Sequence, residues 1–320
     1  MRQSVAVSAA TVVVIALVVT HYRARTDLAR TAEGFDGARA FKDLEQLVAL
    51  GRRPPGSPAL ERAREYIAAQ LGTAGVELRR DPFTATTPVG PIPMVNMVGV
   101  LSGASSNVVI IAGHYDTARL KGIAFVGAND GGSSAAELLE LARVLSKRRH
   151  FLTYQLVFFD GEEALEQWSQ TDSLYGSRHL AEELATAGRL AQVRALILVD
   201  MVAGRQLHIL EESNSTPWLR DILIKKARQL GYASSFDGGQ FPVEDDHLPF
   251  TKEGVATVDI IDLTPFKTYH HTAQDTLDKC SPASLAIVGR VVLATLEDIE
   301  GQLGMDRTGM QPPEEAGGQR

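Results

Sequence analysis

A chain of 320 residues with 44% apolar content has ample material for one large core or two smaller ones. Its formal net charge of −7 argues against a nucleic-acid surface, which needs clustered Lys and Arg. The single cysteine, Cys280, excludes an internal disulfide framework and any cysteine-rich zinc module, so a metal here must be held by His, Asp and Glu.

In chain order, residues 3–22 carry no charge apart from a protonatable His21, and their centre runs Val12-Val13-Val14-Ile15-Ala16-Leu17-Val18-Val19. About 20 apolar residues cross a bilayer as a helix. Residues 1–22 are therefore expected to form one N-terminal transmembrane helix. A cleaved signal peptide is the rival reading, although no small-x-small site ends the run. Arg2 on one flank and Arg23 and Arg25 on the other leave the orientation open. The expectation is a membrane-anchored protein with an extracytoplasmic catalytic domain, secreted if the segment is cleaved. Residues 23–40 read as a polar linker.

Residues 41–75 read as helical, broken at Gly51-Arg52-Arg53-Pro54-Pro55-Gly56-Ser57-Pro58. Strand-like runs follow at 94–101, 107–112, 154–159, 195–199 and 255–261. Helical patterns lie between and after them at 133–146, 173–184, 216–230 and 281–299. This alternation predicts an α/β fold with a mostly parallel central sheet sandwiched by helices. It forms one catalytic domain over 41–303, and the Gly-, Pro-, Gln- and Glu-rich residues 304–320 are expected to be disordered.

Open α/β sheets bind ligands beyond the carboxyl ends of their strands, and the chemical residues follow apolar runs. Val108-Val109-Ile110-Ile111-Ala112 leads to Gly113-His114-Tyr115-Asp116-Thr117. A Gly-rich loop, Gly127-Ala128-Asn129-Asp130-Gly131-Gly132, precedes a helix. Phe158-Phe159 leads to Asp160, Glu162 and Glu163, and Leu198-Val199 leads to Asp200. Tyr269-His270-His271-Thr272 follows the last strand by a short loop. One strand-end aspartate is usually a helix cap, and adjacent glutamates are often an ordinary solvated pair. Several histidines and carboxylates at the strand ends of one sheet are a different matter. Zinc takes N and O ligands, and its catalytic sites use about three of them from protein and keep a position open. Of two adjacent glutamates, one can bind metal while the other stays free as a general base.

Asp130 in its Gly-rich loop, the Glu162-Glu163 pair, Asp200 and His271 resemble the zinc aminopeptidase clan of the M28 type. Asp160-Gly161-Glu162-Glu163-Ala164 through Trp168-Ser169, then Asp172-Ser173-Leu174-Tyr175-Gly176-Ser177-Arg178-His179-Leu180, is similar to one branch of that clan, the glutaminyl-peptide cyclotransferases or glutaminyl cyclases. Asp245-Asp246-His247-Leu248-Pro249-Phe250 and Pro265-Phe266 fit the same branch.

The resemblance implies Asp130, Glu163 and His271 as zinc ligands and Glu162 as general acid/base. It implies a hydrogen-bonded carboxylate network of Asp200 and Asp245 near Glu162, and a substrate pocket of Trp168, Phe266 and His270. His114 and Asp200 match a possible second metal site, so one or two zinc ions are expected. His270 is a departure, because animal members of the branch carry Trp before the ligating His; His271 is chosen as the ligand because Thr272 follows it. The implied reaction cyclises the N-terminal glutamine of a peptide to pyroglutamate with release of ammonia. The alternative is an M28-type aminopeptidase that hydrolyses N-terminal residues. Asp116 is expected to orient His114 or cap a turn, His179 and His247 to be structural, and Cys280 to be a small buried residue.

Overall fold

The computed structural model describes residues 34–305. The predicted membrane segment, residues 23–33 of the linker and residues 306–320 of the predicted tail lie outside the described residues. No helix among the described residues is long and apolar enough to cross a membrane.

Asp36 accepts the N–H groups of Ala38 and Arg39 and so starts α1 (Gly37–Ala49), inside the stretch read as linker. The Gly/Pro-rich break separates it from α2 (Pro58–Thr73), which Ser57 caps and Pro58 opens where no N–H is needed. Next comes an antiparallel pair, β1 (Glu77–Thr87) and β2 (Gly90–Leu101), joined by a two-residue turn. The sequence suggests only residues 94–101 of β2. β1 is an edge strand with one half-solvated face, and it carries Arg79, Arg80, Asp81 and Pro82, which an edge tolerates and a central strand does not.

Thereafter strands and helices alternate as expected: β3 (Val108–His114), α3 (Gly132–Leu145), β4 (Thr153–Phe159), α4 (Tyr175–Thr186) and β5 (Val193–Asp200). The chain continues through β6 (Glu211–Glu212), α5 (Pro217–Gln229), β7 (Gln240–Phe241), α6 (Leu248–Lys252), β8 (Thr257–Ile261) and α7 (Pro282–Met305). The closing helix thus runs past the predicted end at 299 and into the first residues of the predicted tail.

The main sheet has the order β1-β2-β4-β3-β5-β8. β4-β3-β5-β8 are parallel, and β1-β2 and β2-β4 are antiparallel, so the sheet is mixed with a parallel centre. Period-two alternation sends Val109 and Ile111 to one face and Val108, Ile110 and Ala112 to the other. The first face packs under α1, α2, α3, α5 and α7, and the second under α4 and α6. Fully buried runs in β3 and β5 require this double cover. The carboxyl ends of β3, β4 and β5 deliver His114, Phe159 and Asp200 to one edge of the sheet, and the site is built there.

Candidate metal centre and substrate cavity

His114 ends β3 and is buried. Its Nε2 lies 3.1 Å from Asp200 Oδ1 and 3.2 Å from Asp130 Oδ1, and its Nδ1 lies 3.4 Å from Asp116 Oδ1 and 3.7 Å from Glu162 Oε2. Burial works against a charge on this ring. Glu162, Asp116, Asp130 and Asp200 outweigh it and hold the imidazole pKa well above its ordinary value.

Asp130 reaches the site on the loop before α3, where Gly131 adopts φ 74° and a Cβ would collide with Asp116 O. Asp275 fastens this loop: its two carboxylate oxygens accept the N–H groups of Asn129 (2.8 Å) and Asp130 (3.1 Å). Asn129 in turn accepts the N–H of Ala203 and donates to the Tyr269 hydroxyl, tying three loops together. From below, the wholly buried Arg53 donates to the carbonyls of Leu47, Gly51, Val126 and Gly127. Neither Asp275 nor Arg53 was anticipated. Arg53 sits in the Gly/Pro-rich break of the helical pattern, and Asp275 in a polar loop without periodicity.

Asp116 has a larger role than orienting His114. Its two oxygens accept the backbone N–H groups of Glu162 (3.2 Å) and Glu163 (3.4 Å), which sets the turn after β4. The two glutamates then diverge. Glu163 Oε1 lies 3.0 Å from His271 Nε2, whereas Glu162 faces His114. Asp160, two residues before Glu162, leaves the site altogether: it pairs with Arg64 at 2.5 Å and accepts the N–H of Val95.

His271 Nε2 also lies 3.4 Å from Asp130 Oδ2, so the residues expected as ligands, Asp130, Glu163 and His271, meet at this nitrogen. His270 is close as well, 3.6 Å from the same oxygen. Its ring stacks on His271 at 3.8 Å and 19°, and on Phe266 at 3.8 Å and 14°. Stacked imidazoles keep their in-plane lone pairs in separate, nearly parallel planes, a poor arrangement for both to bind one ion. His271 alone of the two touches Glu163. Ligand atoms of Asp130, His270 and His271, and separately of His114, Asp130 and Asp200, lie within 4.8 Å of one another. Asp130 belongs to both groups. Burial lowers the His271 pKa, but Asp130 and Glu163 outweigh it and raise it to about 10. For Glu163, burial and Asp130 push the carboxyl up to about 7 against His271. His271 adopts φ 53° and Met201, next to Asp200, φ 49°. Such left-handed non-glycine backbone costs on the order of 1–3 kcal/mol each and concentrates at functional sites.

Asp200 and Asp245, expected near Glu162, are both brought to the site. Asp200 is hydrogen-bonded to His114, while Asp245 accepts the N–H of its neighbour Asp246 at 2.6 Å. Burial first, then the charges of Asp200 and Asp246, push the Asp245 carboxyl well up. Behind them His247 is buried between Glu212 (3.5 Å) and Asp259 (3.8 Å), as befits a structural histidine.

These groups open into a cavity of about 830 Å³, a volume suited to a small ligand, lined by Asp130, Glu162, Glu163, Asp245 and His271 on one side. Trp168, Phe266 and His270, all expected there, line it too, with Leu210, Phe241 and Ile261 added by the fold. Trp168 is carried by a closed loop: Leu174 N–H returns to Glu162 O at 2.8 Å, and Asp172 inside the loop accepts the N–H groups of Leu165, Glu166 and Gln167. Cys280 is buried and lies outside the cavity lining.

Residues 96–296 match peptidase family M28. The glutaminyl-peptide cyclotransferase-like protein of Bos taurus is 33% identical over 278 residues, covering 78% of this chain and 72% of that protein. The crystal structure of an Acidobacteriales bacterium glutaminyl cyclase superposes with a TM-score of 0.80 at 40% identity, covering 84% of this chain and 96% of that one. A leucine aminopeptidase precursor from Bacteroides thetaiotaomicron superposes at 0.74 with 25% identity, covering 82% of this chain and 96% of that one. A shared architecture therefore spans both activities, and the sequence likeness separates them: the chain belongs to peptidase family M28 and, within it, to the glutaminyl-peptide cyclotransferases.

Proposed function

We propose that this chain converts the N-terminal glutamine of peptides to pyroglutamate with release of ammonia. The observation that carries this reading is the division of the Glu162-Glu163 pair, one turned to His271 and the other toward His114, beside a cavity walled by Trp168 and Phe266.

Asp130, Glu163 and His271 fit a zinc ion. They offer a mixed N and O donor set, and Asp130 Oδ2 is buried without a hydrogen-bond partner of its own. When bound, zinc supplies Lewis-acid polarisation of the substrate's side-chain amide and stabilises the charge that develops on its oxygen. Glu162 takes a proton from the α-amine nitrogen as that nitrogen bonds to the amide carbon. It then passes the proton to the departing amide nitrogen, which leaves as ammonia. Burial raises the Glu162 carboxyl well above its usual range, and Glu163, Asp245 and Asp246 act with it against His114, which suits a group that must both accept and return a proton. Nucleophile and electrophile belong to one residue, so holding the side chain folded supplies much of the acceleration. Trp168, Phe266 and Ile261 surround that residue with apolar surface and keep water from competing with the amine.

The test is incubation of the purified protein with Gln-peptides and Leu-peptides, followed by mass spectrometry. Loss of ammonia from Gln-peptides is expected, and free leucine without pyroglutamate would sink the proposal. A second reading, a metalloaminopeptidase using a metal-bound water, draws on the His114, Asp130 and Asp200 group, which could hold a second ion. Two tightly held zinc ions per chain together with leucine release would select it.

For the rest of the chain, we propose that residues 1–22 anchor the catalytic domain, which begins at α1, to a membrane on its extracytoplasmic side. The support is the uncharged apolar run alone. Release of the protein from membranes by carbonate would count against it.

A further inference from the structure

Beside the substrate cavity lies a second one of about 360 Å³, and the two share a wall made by Trp168 and Glu244. The indole Nε1 donates to Glu244 Oε2 across 3.3 Å, so the wall is a sill of two exposed side chains rather than backbone. Leu174, Ala181 and Ala185 line the second cavity from the start and one face of α4, and Leu248 lines it from α6. Arg178, which also lines it, spends its guanidinium on the carbonyls of Gln170, Ser173 and Leu174, so it does not offer a free anion site.

A peptide whose first residue occupies the substrate cavity must send the rest of its chain out over the rim. From the observed adjacency we infer that the second cavity receives the residues that follow the N-terminal glutamine. The second residue crosses the Trp168–Glu244 sill, and the third lays an apolar side chain on the Leu174–Ala185 floor. This inference rests on the proposed cyclase function. It adds a class of preferred substrate: peptides of at least three residues with an apolar third side chain.

The experiment compares Gln-Ala amide with Gln-Ala-Leu-Ala amide on the full-length protein and on Ala185→Trp, which fills the second cavity from a half-buried position on α4. The wild type should favour the longer peptide through a lower KM. The variant should lose about tenfold in kcat/KM on the longer peptide, the worth of burying one apolar side chain. On the dipeptide amide it should stay within about twofold, as for a remote surface change. If Ala185→Trp does not fold, Lys252→Trp at the exposed rim of the same cavity carries the same expectation. Equal kcat/KM for both peptides in the wild type, or an equal effect of the variant on both, would overturn the second cavity's role and leave the cyclase function standing. Failure of the wild type to cyclise either peptide would instead bring down the function itself, and this inference with it.

Discussion

His270 lies flat against His271, their ring centroids 3.8 Å apart and their planes 19° from parallel, although the two residues share one environment beside Asp130. Stacking forces a division between them. His271 meets Glu163 as well as Asp130, and His270 is sandwiched against Phe266. His271→Ala should weaken zinc binding by more than about 100-fold, beyond what loss of an outer partner costs. His270→Ala should change it by less than about tenfold while raising KM. Competition with a chromophoric chelator reads both affinities, and equal losses would mean that the rings exchange roles.

Glu162 and Glu163 part at the backbone because Asp116 grips both of their N–H groups. Glu162→Gln keeps the shape and removes the proton acceptor. Its kcat should fall by about 100- to 10,000-fold, the range for loss of a positioned acid/base, with zinc content and Tm unchanged. A variant that also loses its metal would show that Glu162 belongs to the ligand set.

Asp275 does not line the cavity, yet it holds the N–H groups of both Asn129 and Asp130. Asp275→Ala should cost about 1.5–3 kcal/mol of stability, as for hydrogen bonds to a charged group. It should also lower zinc affinity by about 10- to 100-fold through misplacement of Asp130. Thermal melts with and without zinc separate the two effects, and a zinc affinity equal to that of the wild type would remove Asp275 from the site.

Glu212 gives a pH-dependent prediction. Burial would raise its carboxyl, but His247, the N–H groups of Asn214 and Val243 and the Ser215 hydroxyl together lower it from 4.5 to about 2. A depressed carboxylate contributes stability that is fully present above the unfolded value, near pH 4.5, and is lost as pH falls toward about 2. The Tm gap between wild type and Glu212→Gln should therefore be widest above pH 4.5 and close as pH approaches 2. A gap independent of pH would show that Glu212 acts by packing alone.

Much of this was legible before any coordinates. Apolar runs announced β3, β4, β5 and β8 because strands buried on both faces need unbroken Val, Ile and Leu. His114, Glu163 and Asp200 stood out because strand ends of an open sheet are where chemistry collects, and the choice of Asp130, Glu163 and His271 as ligands rested on the family resemblance. β1 was hidden because an edge strand buries only part of one face and its pattern is diluted by charge. Arg53 and Asp275 were hidden for another reason. A buried arginine or an aspartate that braces a loop is defined by backbone groups brought from elsewhere in the chain, and no local spacing encodes them.

Asp172 carries a last consequence. With one carboxylate it collects the N–H groups of Leu165, Glu166 and Gln167 and the hydroxyl of Tyr175, so the backbone of the Trp168 loop is fastened from its own interior, while Arg178 holds the carbonyls of Gln170 and Ser173 from α4. The conformational entropy of that loop is surrendered when the chain folds, not when a peptide arrives. Trp168, 38% exposed at the tip of a pre-set support, can then adjust its ring to a guest while the surrounding backbone stays still, and affinity need not be spent on ordering the loop.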